Sequence, residues 1–292
     1  MLIGHLFGQY KNIEFDHYTT NDGLSNGYVY CITQDRKGFI WIGTTNGLNR
    51  FDGLSFNKYY YDANDTTSIS SNEVTAFIED TTGNFWIMTN RMFSLFNRKK
   101  DNFSRKLLKA NNHIYNALHI TCCFIDSKGF LWMASRGAIF KFKVYNNPDI
   151  HKRIIAAERY VLDEQDLEES NRTVVFNFVE DHEGKIWVAS YSNQLHYFDY
   201  KTNKFIAQTI RIPDNQKLWS KQKYLLQDHE GDFYITCEWA GLIEWNRKSD
   251  KYVLYKPNGT NSAPNDDILF GIYEDLNHHI WIGSKNNRYG SA

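Results

Sequence analysis

The stretch Asp35-Arg-Lys-Gly38-Phe-Ile-Trp41 decides the fold, because the same motif returns five more times along the chain. Its shared pattern is Asp, two variable residues, Gly, two further residues and Trp. The fifth copy has Tyr234 in place of Trp, and the sixth has His278 in place of Gly. Copies that stay in register over a whole chain are typical of a repeat protein. They begin at Asp35, Asp80, Asp126, Asp181, Asp228 and Asp275.

The spacing and composition of each copy indicate four β-strands. The copies follow one another at intervals of 45, 46, 55, 47 and 47 residues, and propeller blades have periods of about 40–50 residues. A β-type run such as Val74–Glu79 precedes each Asp. Asp-x-x-Gly predicts a hairpin turn, because Asp bonds the backbone that follows it and Gly adopts a positive φ. In the first copy we expect further strands at residues 40–44, 48–51 and 56–59.

We therefore predict an all-β fold, a β-propeller of four-stranded antiparallel blades with six repeats. The sixth copy stops after its second strand, at residues 280–283, so the last blade is expected to be incomplete. The chain is then a fragment of a six- or seven-bladed ring. One propeller domain, truncated at its C-terminus, is expected over residues 13–292.

The two ends of the chain and one long interval need separate expectations. Residues 1–12 lack a complete signal peptide, and we interpret them as the remnant of a signal or linker. Residues 13–18 repeat the Phe-x-x-Tyr pattern of residues 56–59, so they are expected to form an outermost strand that completes the last blade. The interval of 55 residues marks an insertion within residues 143–172. A helical turn, a protruding loop and a stretched fourth strand are all compatible with its sequence.

Composition excludes several classes of protein. Hydrophobic residues make up 42% of the chain and aromatic residues 16%, so a large core can form. The formal net charge of −1 provides no global basic field for nucleic acid or an anionic membrane. No apolar run approaches the roughly 20 residues that span a bilayer. The four cysteines form no CxxC pair, and buried free thiols are their expected role.

The repeated aromatic and acidic positions are expected to be structural. A large ring at one blade position fills the gap between neighbouring sheets, and the repeated Asp is a turn residue. Trp245 aligns with Phe51 and is expected in the core as well. We assign the structural repeat to Asp35, Trp41, Asp80, Trp86, Asp126, Trp132, Asp181, Trp187, Asp228, Tyr234, Asp275 and Trp281.

A candidate binding face follows from the topology of a meander. Successive turns alternate between the two ends of a blade, so the second-to-third turns and the loops into the next blade share one face. Every copy differs there, and variable loops on a rigid scaffold are where binding sites are built. Aromatic rings beside Asn and Arg suit a sugar, and the basic residues suit uronate or sulfate groups. The candidate ligand-binding residues are Tyr28, Asn46, Asn72, Arg91, His119, Arg136, Arg172, Tyr191, Trp219 and Trp239.

No catalytic, metal or cofactor site is expected. Repeat aspartates on separate blades cannot form the carboxylate pair of a glycosidase, which needs a separation of about 5–9.5 Å. The pairs at His182, His229 and His278 lie inside hairpin turns, where repeat identity explains them better than metal binding. There is no HExxH, phosphate loop or GxSxG motif.

The repeats resemble the two-component regulator propeller family. The resemblance rests on Asp22-Gly-Leu-Ser25, on Asp-x-x-Gly-x-Ile-Trp-Ile-Gly-Thr and on Asn46-Gly-Leu-Asn-Arg-Phe51, and it covers about residues 13–283. It implies the periplasmic sensor region of a hybrid two-component histidine kinase, which detects oligosaccharides to control polysaccharide utilisation. It also implies as partners a second propeller, downstream C-terminal domains and a possible homodimer. The membrane helix and the kinase activity would belong to downstream parts of such a protein.

Two other functions remain open from the sequence. The first is a propeller glycosidase or polysaccharide lyase, although the Asp-x-Gly spacing of sialidase-type boxes is absent. The second is a protein-interaction scaffold that mediates sensor dimerisation without a small ligand. Fold alone does not separate these functions, because one architecture hosts many of them.

Overall fold

The structure, a computed structural model, describes residues 16–162, 174–190, 194–210, 222–238, 240–257, 264 and 266–284. Within these ranges the chain forms successive sheets, which we number as blades 1 to 6. Short 3-10 helices occur at Thr20–Asp22 and Pro148–His151. None of the described helices has the length and apolar character needed to cross a membrane.

Blades 1 to 5 each contain a four-stranded antiparallel meander, and the described part of blade 6 contains two strands. Blade 1 has β1 (Val29–Gln34), β2 (Ile40–Thr44), β3 (Gly47–Phe51) and β4 (Phe56–Tyr59). Blade 2 has β5 (Val74–Glu79), β6 (Phe85–Thr89), β7 (Phe93–Asn97) and β8 (Asn102–Ala110), with β9 (His113–Tyr115) paired to β8. Blade 3 has β10 (Ile120–Ile125), β11 (Phe130–Ser135) and β12 (Ala138–Lys143); β13 (Ile154–Ala156) follows, and β14 (Glu158–Tyr160) completes the blade.

The later blades follow the same order. Blade 4 has β15 (Val175–Glu180), β16 (Ile186–Ser190), β17 (Leu195–Asp199) and β18 (Lys204–Gln208). Blade 5 has β19 (Gln222–Gln227), β20 (Phe233–Cys237), β21 (Gly241–Asn246) and β22 (Lys251–Tyr255). Blade 6 has β23 (Leu269–Glu274) and β24 (Ile280–Ser284). The first strand of each blade packs beside the first strand of the next, so the predicted β-propeller architecture is confirmed.

The insertion within residues 143–172 combines a helical turn with a late fourth strand, two of the three forms that its sequence left open. After the 3-10 turn, β13 leaves its own blade and pairs in parallel with β8 of blade 2. The strand β14 then returns as the fourth strand of blade 3. The insertion therefore ties two blades together at their outer edge. Residues 163–173 lie outside the described residues.

In the five repeats that contain Trp, the repeat Asp organises both its turn and the Trp ring. In blade 3, Gly129 N–H donates to the carbonyl of Asp126 at 2.9 Å, and Phe130 N–H donates to Oδ1 at 2.8 Å. The indole Nε1–H of Trp132 donates to Oδ2 of the same carboxylate at 2.8 Å. The turn role of Asp is thus confirmed, and one carboxylate also fixes the Trp ring. The same indole bond joins Trp41 to Asp35, Trp86 to Asp80, Trp187 to Asp181 and Trp281 to Asp275.

The fixed Trp rings fill the gaps between blades, as the sequence predicts for four of them. Trp132 is fully buried, and its ring centroid lies 4.9 Å from that of Phe198 in blade 4. Trp41 lies 4.8 Å from Phe85 in blade 2. Trp86 and Trp187 are buried in the same way, and Trp245 also lies in the core.

The core assignment of Trp281 is wrong, and that of Tyr234 holds only in part. Trp281 is 63% exposed although its bond to Asp275 is intact. Among the described residues no further blade packs against this ring, whereas Phe198 and Phe205 of blade 4 pack against Trp132. Tyr234 is only half-buried, and the described part of blade 6 has no third and fourth strands to pack against its ring.

The flank of blade 1 is also uncovered. Ile32 is 65% exposed, whereas Phe178 and Leu225, at the same position of blades 4 and 5, are 7% and 2% exposed. In those blades this residue packs on the preceding blade. In the described part of the chain the ring is therefore open between blades 6 and 1.

The expected outermost strand at residues 13–18 is not found as such. Residues 16–18 form no strand, and residues 13–15 lie outside the described part of the chain. The ring of Tyr18 nevertheless packs on Phe51 at 5.0 Å and on Phe56 at 5.7 Å. It contacts blade 1 in the way that a fourth-strand Tyr contacts the blade after it: Tyr59 of β4 packs in the same manner on Phe96 and Phe103.

Hydrogen bonds between adjacent Asp turns also join the blades. In blades 2, 4, 5 and 6 the residue before the repeat Asp reaches the backbone of the preceding turn: Glu79 accepts Arg36 N–H at 2.8 Å, and Glu180 accepts Ser127 N–H at 2.7 Å. The bonds from His182 N–H to Gln227 and from His229 N–H to Glu274 repeat this contact. Ile125 occupies the position in blade 3, where an apolar side chain has no acceptor to offer.

We expect Trp132→Ala to destabilise the fold by about 3–5 kcal/mol, because it empties a buried interblade space. Trp281→Ala is the matched control, since it removes the same residue at the same repeat position from an exposed site. Its cost should stay below about 1 kcal/mol. Chemical denaturation of both variants measures the difference. Equal losses would contradict the burial that separates the two positions.

Candidate functional site

The loop face is built from two recurring positions. The first is the residue seven before each repeat Asp, which immediately precedes the inner strand of the blade; it is Tyr28, Glu73 and His119 in blades 1 to 3. The second is the turn between the second and third strands, which contains Asn46, Arg91 and Arg136 in the same blades. Because the inner strands pack side by side, the first position forms a row across three blades.

Tyr28 and Tyr30 form an exposed aromatic pair at one end of this row. Tyr28 is 66% exposed and Tyr30 is 46% exposed, with ring centroids 5.5 Å apart in an edge-on arrangement. The hydroxyl of Tyr30 donates to Glu73 Oε1 at 3.2 Å, and Asn90 Nδ2 donates to Oε2 at 2.6 Å. The carboxylate of Glu73 is therefore held between two blades, and both of its oxygens have partners.

Asn46 and Asn72 hold two loops of this face together. Asn72 Nδ2 donates to Asn46 Oδ1 at 3.1 Å, and Asn72 Oδ1 accepts the N–H of Tyr61 at 2.6 Å. Gly47 N–H donates to the carbonyl of Asn72 at 2.7 Å. Gly47 has a φ of 117° and lies against the ring of Tyr60, so a side chain would not fit there. These contacts preorganise the turn that carries Asn46.

His119 and Arg136 end the row on blade 3. Partial burial lowers the pKa of His119, and the positive charge of Arg136 lowers it further, while Glu73 acts in the opposite direction. The imidazole is therefore neutral at neutral pH and offers one donor and one acceptor. Arg136 and Arg91 are exposed, and Leu118 N–H donates to the carbonyl of Arg91, which fixes the adjoining turn.

The structure brings together six of the ten predicted residues, on blades 1 to 3. Arg172, Tyr191, Trp219 and Trp239 lie outside the described residues. Sequence reasoning missed Tyr30, Glu73 and Asn90. Glu73 could have been found, because it shares its repeat position with Tyr28 and His119. Tyr30 and Asn90 are recognisable only through their contacts with Glu73.

Two cavities in the described part of the chain lie elsewhere, at the outer edge of blade 2. Their volumes are about 420 and 430 Å³, and both are bordered by Asn97 and Ser104. One is lined by Lys106, which is 1% exposed and donates from Nζ to the carbonyl of Lys152 at 3.0 Å. Burial lowers the pKa of Lys106 to about 8. We do not place the candidate binding site in either cavity, because neither is lined by an exposed aromatic ring beside polar groups.

The comparisons with known proteins agree with this architecture. The family model of the two component regulator propeller matches residues 23–46 and 68–91, which contain the first two strands of blades 1 and 2. A "Histidine kinase P4" of Formosa agariphila is 46% identical over 65 residues, which are 22% of this chain and 5% of that protein.

Solved structures extend the likeness to nearly the whole chain. The extracellular domain of a putative hybrid two component system of B. thetaiotaomicron superposes with a TM-score of 0.66 at 20% identity. The match covers 90% of this chain and 35% of that domain. Virginiamycin B lyase of Staphylococcus aureus superposes with a TM-score of 0.60 at 12% identity, over 88% of this chain and 78% of the lyase. At these identities the likeness shows the propeller fold alone.

We expect Lys106→Met to stabilise the protein at neutral pH, on the order of 2 kcal/mol, because a buried ammonium has a lower pKa in the folded state than in the unfolded chain. The penalty of the charge is complete below pH 8 and disappears as the pH rises towards about 10.5. The advantage of the variant should therefore shrink over that range. Thermal unfolding across this pH range measures it.

Lys109→Met is the control, since Lys109 lies exposed on the same strand, β8. It should show no such pH dependence. A pH-independent gain for Lys106→Met would mean that packing, and not the charge, limits stability at this position.

Proposed function

We propose that this propeller is a non-enzymatic, periplasmic sensor domain of a hybrid two-component regulator, and that its loop face binds an oligosaccharide. The observation that carries the proposal is the exposed pair Tyr28 and Tyr30 beside a fixed row of polar groups. Two flat rings offer apolar surface to the C–H face of a pyranose. Glu73 and His119 lie within the same row and supply acceptors and donors for hydroxyl groups.

The charges of the face favour a neutral or mildly acidic sugar. Arg91 and Arg136 are exposed and carry no ion pair among the described residues, so they are free to meet a carboxylate or sulfate. Glu73 places a negative charge in the same row, which disfavours a densely charged polyanion. We therefore expect selectivity for sugars with isolated acidic groups over polysulfated ones.

The absence of catalysis is part of the proposal. In five blades the repeat Asp accepts the indole N–H of its own Trp as well as turn N–H groups. A carboxylate with these bonds has no free proton to donate as a general acid. The lyase that shares the fold is the reason to keep an enzyme as the alternative. A scaffold for sensor dimerisation is the other alternative.

The relatives extend beyond the region that matches this chain. The chain spans about a third of the solved extracellular domain and a twentieth of the curated histidine kinase. A second propeller, the downstream C-terminal domains, the membrane attachment and the kinase activity are accordingly proposed as properties of a larger protein. The expectation of a homodimer remains a proposal of the same kind.

A thermal-shift screen with neutral and acidic oligosaccharides tests the binding face. A ligand at 100 times its Kd should stabilise the fold by about 2.7 kcal/mol. Tyr28→Ala should weaken the affinity about tenfold, or ~1.4 kcal/mol, because it removes an exposed stacking surface. Tyr273→Ala is the control: Tyr273 is 63% exposed but lies on the flank of blade 6.

The same incubations separate the alternatives. Cleaved glycan products would support the enzyme, and dimerisation independent of glycan would support the scaffold. Equal loss of affinity in both Tyr variants would remove Tyr28 from the site. A panel without any hit, on demonstrably folded protein, would count against binding by this face.

A further inference from the structure

Three potential metal ligands converge on the opposite face of the disc. His229 belongs to the Asp turn of blade 5, and Glu274 and His278 belong to the Asp turn of blade 6. One ligand atom from each lies within 4.8 Å of the others. The Nδ1 atoms of His229 and His278 lie 2.5 and 3.0 Å from the same oxygen, Glu274 Oε1. The two imidazole rings stack at 3.6 Å.

The carboxylate of Glu274 is oriented by the interblade contact that other blades share. Its Oε2 accepts the backbone N–H of His229 at 3.0 Å, which leaves Oε1 directed at the two rings. A positioned carboxylate oxygen therefore lies between two imidazole nitrogens.

His278 occupies a position that the repeat otherwise reserves for Gly. The other five copies have Gly there, with positive φ between 75° and 96°. His278 keeps the same left-handed conformation, at a φ of 65°, which residues other than Gly adopt only uncommonly. A strained residue that persists is a reason to look for a role. Here the strain places an imidazole directly over another imidazole and a carboxylate.

We propose that His229, Glu274 and His278 bind a divalent transition-metal ion of the zinc class. Two imidazole nitrogens and one carboxylate oxygen form a ligand set that Zn²⁺ accepts at four-coordination, with water in the remaining position. The side chains of His229 and His278 are 43% and 55% exposed, so water and the ion have access. Each histidine coordinates through Nδ1 in its neutral form and keeps its proton on Nε2.

The ion would join two blades. One ligand comes from blade 5 and two come from blade 6, whose described part has only two strands and an exposed Trp281. A cross-link at the Asp turns therefore stabilises the least supported interface between described blades.

The chain contains its own matched control for this arrangement. His182 occupies in blade 4 the turn position that His229 occupies in blade 5. Its neighbours on the next blade are Gln227 and Gly231, in place of Glu274 and His278. The hydrogen bond from the backbone N–H of the histidine to the next blade is present there. The carboxylate and the second imidazole are not.

Isothermal titration of the whole chain with zinc chloride near neutral pH tests the proposal, together with thermal unfolding. His278→Gly restores the repeat residue at a positive φ, so the variant should fold at least as well as the parent without metal. It should lose the zinc site and the rise in Tm that zinc produces. Glu274→Gln should also lose zinc. It should still accept the backbone N–H of His229, as Gln227 accepts that of His182. His182→Asn should bind zinc as the parent does.

Each outcome bears on the site. Loss of binding in the two site variants, with binding intact in His182→Asn, supports it. Parent protein that binds no zinc overturns it, as does binding that persists in both site variants. Equal loss in His182→Asn would place the ion on other histidines and overturn it as well. None of these results depends on the oligosaccharide proposal, because the two sites lie on opposite faces.

Discussion

The bond between the repeat Asp and the Trp indole, present in five of the six blades, is the interaction on which the rest of the propeller depends. A four-stranded sheet cannot bury its face alone, so each blade is stable only when a neighbour covers it. The Trp ring fills the space between the two sheets, and Asp fixes the direction of that ring while it closes its own turn. One carboxylate thus couples local turn geometry to packing between blades. The indole N–H, which would otherwise be buried without a partner, is satisfied by the same bond.

Blades 1 and 6 show which part of the packing comes from the Asp–Trp bond and which part comes from a neighbouring blade. Trp281 makes its bond to Asp275 and still lies exposed, because no further blade packs against its ring in the described chain. The bond therefore orients the ring, and the neighbouring blade supplies the burial. At the other end, Tyr18 contacts Phe51 and Phe56 of blade 1 as Tyr59 contacts blade 2. A chain segment can thus occupy an interblade position without being paired in a sheet.

The repeat made the fold predictable, and departures from the repeat were predictable only in part. The Asp-x-x-Gly turns and four of the five in-register Trp positions follow from spacing and side-chain size, since the same local physics acts in every copy. The sequence could not predict that β13 pairs with blade 2, because parallel pairing across blades depends on tertiary contacts and not on local pattern. Trp281 is exposed because no further blade of the described chain packs against it, and the motif itself does not encode whether such a blade is present.

For the proposed site, the sequence placed the candidate residues on one face of the disc but did not include Glu73, which lies among them in the structure. Position in a meander is enough to assign Tyr28 and His119 to one end of the disc. Glu73 was missed because a single acidic residue in a loop has no signal of its own; only its bonds to Tyr30 and Asn90 show that it joins two blades.

This arrangement has a mechanical consequence for a sensor. Tyr28, Glu73 and His119 come from three successive blades, and in repeat proteins the stability of each interface depends on nearest neighbours. A ligand that contacts all three residues adds its binding free energy to the two interfaces between them. The opposite face keeps its regular Asp turns, so the blades stay joined there while the loop face differs from copy to copy. The proposed recognition and the observed cohesion thereby lie at opposite ends of the same strands, and loops can vary at one end without disturbing the bonds at the other.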